Sequence, residues 1–165
     1  MRLALSFLAL ALAACADEPS PEEKAAADAA AVAEVEANQE APPEAMVPQP
    51  ILYPDVEKYG LFGAGCNFLP QGAGMGAVAL AQADKGYMKR DGEVLTFAAD
   101  KGSPNNPLGS WTKYDGKDYS FTLELEPGEG EQTGMETVDF DGELVVRDGK
   151  DRVIYQSAGI AQCGS

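Results

Sequence analysis

From Ile51 onward the sequence predicts an all-β domain of antiparallel strands, and three features carry that expectation. Asp-Gly occurs four times, at 91–92, 115–116, 141–142 and 148–149, each time between strand-forming residues, and this dipeptide is a leading signal for a two-residue hairpin turn. The segment from Asp118 to Glu126 alternates Tyr119, Phe121, Leu123 and Leu125 with Ser120, Thr122, Glu124 and Glu126, which gives one face to bury and one to wet. If the turns hold two residues each, Arg90 faces Glu93 and Lys113 faces Asp118, opposite charges on neighbouring strands.

The elements follow in chain order. Met1-Arg2 supplies a basic start, Leu3 to Leu12 an apolar run, and Leu12-Ala13-Ala14-Cys15 a run of small residues ending in cysteine. The apolar run is far short of the ~20 residues a membrane-spanning helix needs. It has the three parts of an export signal, and it resembles a bacterial lipoprotein signal. That resemblance implies removal of residues 1–14 and acylation of Cys15. The membrane is then the first expected partner, through the Cys15 lipid, and the bacterial cell envelope the expected location. Ala16, rather than Asp, follows Cys15, which by analogy with enteric bacteria implies the outer membrane, facing the periplasm.

Residues 15–50 are almost all Ala, Glu and Pro beyond the cysteine and contain no aromatic, so they cannot build a core and read as a tether. Within it, Ser20-Pro21-Glu22-Glu23 matches a helix start, with Ser20 as N-cap, Pro21 in the first turn and Glu23 reaching back. The Ala-rich run predicts a helix over 21–39, ended by Pro42-Pro43. A helical or disordered tether thus precedes the domain of residues 51–165. Besides 118–126, strands are expected at 76–82, 86–90, 93–99, 111–114, 136–140, 143–147 and 150–157. About eight strands in this length suggest a small antiparallel barrel or a two-layer sandwich. Asp-Gly-Lys-Asp recurs at 115–118 and 148–151, and Asp-Gly-Glu at 91–93 and 141–143, but the spacings of 33 and 50 residues share no period. Repeated turn chemistry accounts for both.

Once Cys15 takes a lipid, Cys66 and Cys163 remain as a pair in an oxidising compartment, where a disulfide is expected. No histidine is present anywhere, so neither a Ser-His-Asp triad nor an imidazole zinc site can form. Without residues 1–14 the chain has 11 Lys and Arg against 27 Asp and Glu, and 11 minus 27 is −16. That charge disfavours nucleic acid and leaves a basic protein as the compatible partner.

No cofactor or metal is expected. Gly72-Ala73-Gly74-Met75-Gly76-Ala77 satisfies G-x-G-x-x-A, but no strand precedes it and no helix follows, so no nucleotide site is expected and the Gly60–Ala77 stretch reads as a crossover. Asp139-Phe140-Asp141-Gly142-Glu143 has its glycine at the fourth rather than the sixth position of a calcium loop and reads as a hairpin turn. A carboxylate pair acting across a cleft is one functional alternative. The acidic loop from Glu126 to Gly134 reads as solvated. The loop from Lys101 to Ser110, followed by Trp111, is the expected recognition surface, with Asn105, Asn106, Ser110 and Trp111 as its candidate contacts.

Two family resemblances fall on the domain. Gly109-Ser110-Trp111-Thr112-Lys113-Tyr114 resembles, in a comparable place but without the Ser-Gly order, the Ser-Gly-x-x-Tyr-like inhibitory loop of bacterial c-type lysozyme inhibitors. Those are anchored lipoproteins with a disulfide-stapled β-barrel. Gly65-Cys66-Asn67 resembles the Gly-Cys-Asn of META-type envelope lipoproteins. The reading is an anchored lipoprotein whose β domain binds a partner or supports the envelope without catalysis. The alternatives are a lysozyme inhibitor and a carboxylate hydrolase.

Overall fold

The computed structural model describes residues 19–39, 41–72, 74 and 76–165; Cys15 and the expected signal lie outside them. The chain divides into two compact units after Ala41. In the first, helix α1 runs Pro21–Asn38 and starts as the local sequence requires. Ser20 Oγ accepts from the Glu23 N–H at 3.2 Å, and Glu23 Oε2 accepts from the Ser20 N–H at 2.8 Å. The Ser20 backbone and side-chain hydrogen bonds hold the Glu23 carboxyl below its ordinary pKa. No α1 side chain is buried.

The second unit, Pro42–Ser165, is a closed barrel of eight antiparallel strands with one extra strand. The strands are β1 (Gly65–Pro70), β2 (Ala79–Gln82), β3 (Lys85–Arg90), β4 (Glu93–Ala99), β5 (Lys113–Asp115), β6 (Tyr119–Leu125), β7 (Glu131–Gln132), β8 (Val138–Asp148) and β9 (Val153–Gly164). Pairing runs in sequence from β1 to β6, then β6 to β8, β8 to β9 and β9 back to β1, while β7 lies on the edge of β8. The barrel, rather than the sandwich, is therefore the architecture. Cys66 and Cys163 sit directly opposite each other where the first and last strands meet, with their sulfurs 2.05 Å apart, at disulfide distance.

Alternation fills the interior. Phe68, Met88, Phe97, Tyr114, Phe121 and Leu123 are fully buried and belong to one core. Phe121 stacks on Tyr114 with centroids 4.8 Å apart and meets Phe97 edge-on at 5.1 Å. Gly86 on β3 makes room for this stack, because a Cβ there would lie 2.5 Å from Phe121 Cζ. The Tyr114 hydroxyl donates to the Gln82 carbonyl at 2.7 Å and accepts from the Trp111 N–H at 2.9 Å, which satisfies the one polar atom the ring carries inside. Burial pushes that phenol's pKa up.

Residues 42–50, read in the sequence as the end of the tether, pack with the barrel. Met46 is buried and its N–H donates to the Ile154 carbonyl, Gln49 bridges to Lys89, and the Gln49 side chain accepts from the Gly92 N–H. Helix α2 (Tyr53–Tyr59) follows, with Asp55 Oδ2 accepting from the Leu52 N–H at its start and Gly60 at φ 64° ending it.

The Asp-Gly turns diverge from the two-residue expectation at three of four sites. Asp91 (φ 50°) and Gly92 (φ 81°) do form a two-residue turn, and Arg90 faces Glu93. At 115–116 Asp115 pairs with Ser120 and the connection is three residues, Gly116 to Asp118; Lys113 faces Thr122, not Asp118, and its ammonium instead meets Asp115 at 3.2 Å. At 148–149 the turn lengthens to Asp148–Arg152, closed by the Asp148 N–H on the Arg152 carbonyl, with Asp151 at φ 61°. The Asp148 carboxylate accepts from the Lys150 and Arg152 N–H groups and the Arg152 guanidinium, a self-contained reason for the longer loop.

Asp141-Gly142 is no turn at all: the strands expected at 136–140 and 143–147 are one strand, β8. Gly142 faces Gly159 on β9 and Leu125 on β6. A Cβ on Gly142 would stand 2.6 Å from the Glu124 carbonyl oxygen, and one on Gly159 2.2 Å from that of Leu69. These glycines allow close approach of adjacent strands instead of reversing the chain. β6 pairs only with residues from Gly142 onward on β8, and β1 only with residues from Gly159 onward on β9, so the opposed glycines mark where the long β8–β9 ribbon changes neighbours.

Candidate acidic groove and the 101–111 loop

The expected recognition loop is built inward. Asn106 Nδ2 donates to the Leu123 carbonyl at 2.9 Å and the Trp111 carbonyl at 3.3 Å. Ser110 is fully buried; its hydroxyl donates to the Pro107 carbonyl at 2.7 Å and lies 3.6 Å from Cys66 Sγ. Trp111 Nε1 donates to the Ala83 carbonyl at 3.0 Å, and its ring packs on the core. Pro107–Gly109 form one 3₁₀ turn with Leu108 at φ 58°. Asn106, Ser110 and Trp111 thus tie the loop to the barrel. Asn105, in a bridge with Trp111, and Leu108 at the tip face solvent.

The Gly72–Ala77 run lies between strands β1 and β2, so the loop leads into a strand where a dinucleotide fold needs a helix. Ala73 and Met75 lie outside the described residues. Among the described residues no group of three or more His, Cys, Asp or Glu is placed to hold a metal ion.

A hollow of the unit lies elsewhere, on the outside of the barrel. A groove of about 920 Å³ opens over the junction of the opposed glycines, between the ends of β1 and β6 and the middle of β8 and β9. Its apolar floor includes Leu69, Pro70, Leu125 and Ile160, and Ile160 remains 37% exposed. Glu124, Glu126, Asp139, Asp141 and Glu143 border it. The strand period places these carboxylates: Asp139, Asp141 and Glu143 alternate along β8, and Glu124 stands directly opposite Glu143. Their hydrogen-bond donors are neutral. Gln156 donates to Glu143 at 2.9 Å, while Thr133 and Gln162 donate to Asp139 at 3.0 and 3.3 Å. Among the described residues no Lys or Arg stands within ion-pair distance of any of the five; the barrel's ion pairs, such as Lys89–Asp55 at 2.8 Å and Arg152–Asp148 at 2.7 Å, form elsewhere.

Comparison with protein-family models, curated proteins and solved structures finds no match.

A second hollow of about 610 Å³ adjoins the first, lined by Ile51, Val56, Leu61, Phe62, Ala77 and Leu80 among others, with Phe62 65% exposed. Leu69 and Gln162 border both hollows, so the two meet on the outer face of β1 and β9. Sequence reasoning missed this surface because it assigned β1 to the glycine-rich crossover and cut β8 in two. The signal for β1 was the alternation of Cys66 and Phe68 around Asn67, set among six glycines between positions 60 and 76.

Proposed function

We propose that this chain is an exported, lipid-anchored protein of the bacterial envelope, in which α1 serves as a spacer and the β-barrel as a non-catalytic binding or structural module. The observation that carries the reading of a surface-acting module is the filled barrel: Phe68, Phe97, Tyr114, Phe121 and Leu123 occupy the interior, so a ligand or partner is met on the outer surface. The lipobox-like Leu12-Ala13-Ala14-Cys15 supports the anchor. A spacer between lipid and domain fits an 18-residue helix whose side chains are all exposed, roughly 1.5 Å of reach per helical residue. The lysozyme-inhibitor alternative draws no support from the loop at 101–111, where Asn106, Ser110 and Trp111 are engaged in holding the loop to the barrel.

Mass spectrometry of the protein isolated from native membranes tests the reading. A triacylated Cys15 at the N-terminus is expected, and Cys15→Ser is expected to abolish lipid attachment, leaving the protein soluble or held by an uncleaved signal. An unacylated N-terminus on the native protein overturns it.

A further inference from the structure

We propose that the trough on the outer face of β1 and β9 docks a cationic polypeptide segment that carries an apolar anchor. The proposal rests on the binding-module reading above and names the chemistry of its partner.

The two ends of the trough differ. At one end Leu61, Val56 and Phe62 line a hollow with an exposed aromatic ring; at the other, five carboxylates surround Leu69 and Ile160. Exposed apolar residues are ordinary when scattered, but here they line concave surface that continues from one hollow into the next. The acidic end is uncompensated by the chain itself, since none of its carboxylates has a cationic neighbour within ion-pair distance among the described residues. Glu124 and Glu143 oppose each other across β6 and β8, an arrangement that costs stability until a cation lies between them. A Lys- or Arg-bearing segment relieves that repulsion, and its charge steers the encounter. An apolar side chain seated beside Phe62 adds the area that charge alone does not provide. Bare cations and purely apolar surfaces each match only one end, and anionic surfaces match neither.

The test uses the purified full chain and a fluorescein-labelled peptide of alternating Lys and Leu ending in Phe, read by fluorescence anisotropy. Controls are an all-Lys peptide of equal length and the same peptide with Glu in place of Lys. The first peptide is expected to bind most tightly, with affinity falling as salt rises. The triple variant Glu124→Gln/Asp141→Asn/Glu143→Gln is expected to weaken binding about tenfold or more, and Phe62→Ser to remove the advantage over the all-Lys peptide. Asp91→Asn/Glu93→Gln/Asp118→Asn changes the charge equally away from the trough and is expected to leave binding near wild type. The substituted side chains point outward, and thermal melts check that each variant folds. No binding at micromolar concentration, or equal weakening by both triple variants, overturns the proposal. Self-association abolished by Phe62→Ser would assign the trough to a second copy and likewise overturn it. None of these outcomes changes the lipid state of Cys15, so failure here and failure of the anchored reading are read separately.

Discussion

The link between Cys66 and Cys163 closes the barrel at the seam between its first and last strands, and its removal has a calculable cost. The two residues are 97 positions apart, and in the chain-entropy model a loop of this length restricts the unfolded chain by ~4.7 kcal/mol, with measured effects usually nearer 2–4 kcal/mol. Both residues are buried, but six paired positions join β1 to β9 besides the sulfurs, so the reduced protein is expected to keep its fold. The melting temperature is expected to drop by about 6–12 °C on reduction or in Cys66→Ala/Cys163→Ala, from roughly 3 °C per kcal/mol at this domain size. Urea unfolding monitored by near-ultraviolet circular dichroism provides the assay, and a steeper denaturant dependence is expected because the uncrosslinked chain unfolds to expose more surface. Coincident melts before and after reduction, or two titratable thiols in folded, oxidised protein, would refute the reasoning.

Gly86→Ala is expected to destabilise the barrel by about 1–3 kcal/mol, measured by chemical denaturation, because the new methyl meets stacked rings that cannot move aside. Deleting residues 16–41 is expected to leave the melting temperature of the barrel unchanged, whereas extending the deletion to residue 50 lowers it; Met46→Ala alone is expected to cost about 2–3 kcal/mol. The hydrogen bond from Lys89 and that from the Leu52 N–H lower the Asp55 pKa, and the Arg152 side chain and backbone do the same for Asp148. A folded-state pKa below the unfolded value contributes stability that is complete above about pH 4 and lost as pH falls through the lower folded value. Asp148→Asn and Asp55→Asn are therefore expected to flatten the stability profile below that pH, and an unchanged acid limb in both variants would contradict these assignments.

Local chemistry decides what the sequence by itself determined. Ser20, Pro21 and Glu23 cap a helix through contacts within one turn, so α1 is legible without any tertiary partner. The alternation in β6 and the αL-prone Asp91-Gly92 pair are equally local, and together they determine an antiparallel β class. The two remaining cysteines determine a pairing, given an oxidising compartment. Helix α2 was not read from the sequence, because its seven residues are too short to show periodicity; Pro54 in its first turn and Gly60 after its last are the local signals it carries. Tertiary structure decided the rest, because the same residue answers different needs depending on what approaches it. Gly142 reads as a turn from its neighbour Asp141, yet it lies in a strand because the Glu124 carbonyl approaches where a side chain would stand. Asn106 and Ser110 read as recognition groups in a loop, yet the fold brings the Leu123 and Pro107 carbonyls to them and turns them inward. The acidic trough combines carboxylates from β6 and β8 with apolar side chains from β1 and β9, up to 91 positions apart between Leu69 and Ile160. Their adjacency arises from barrel closure, a long-range pairing that no window of sequence contains.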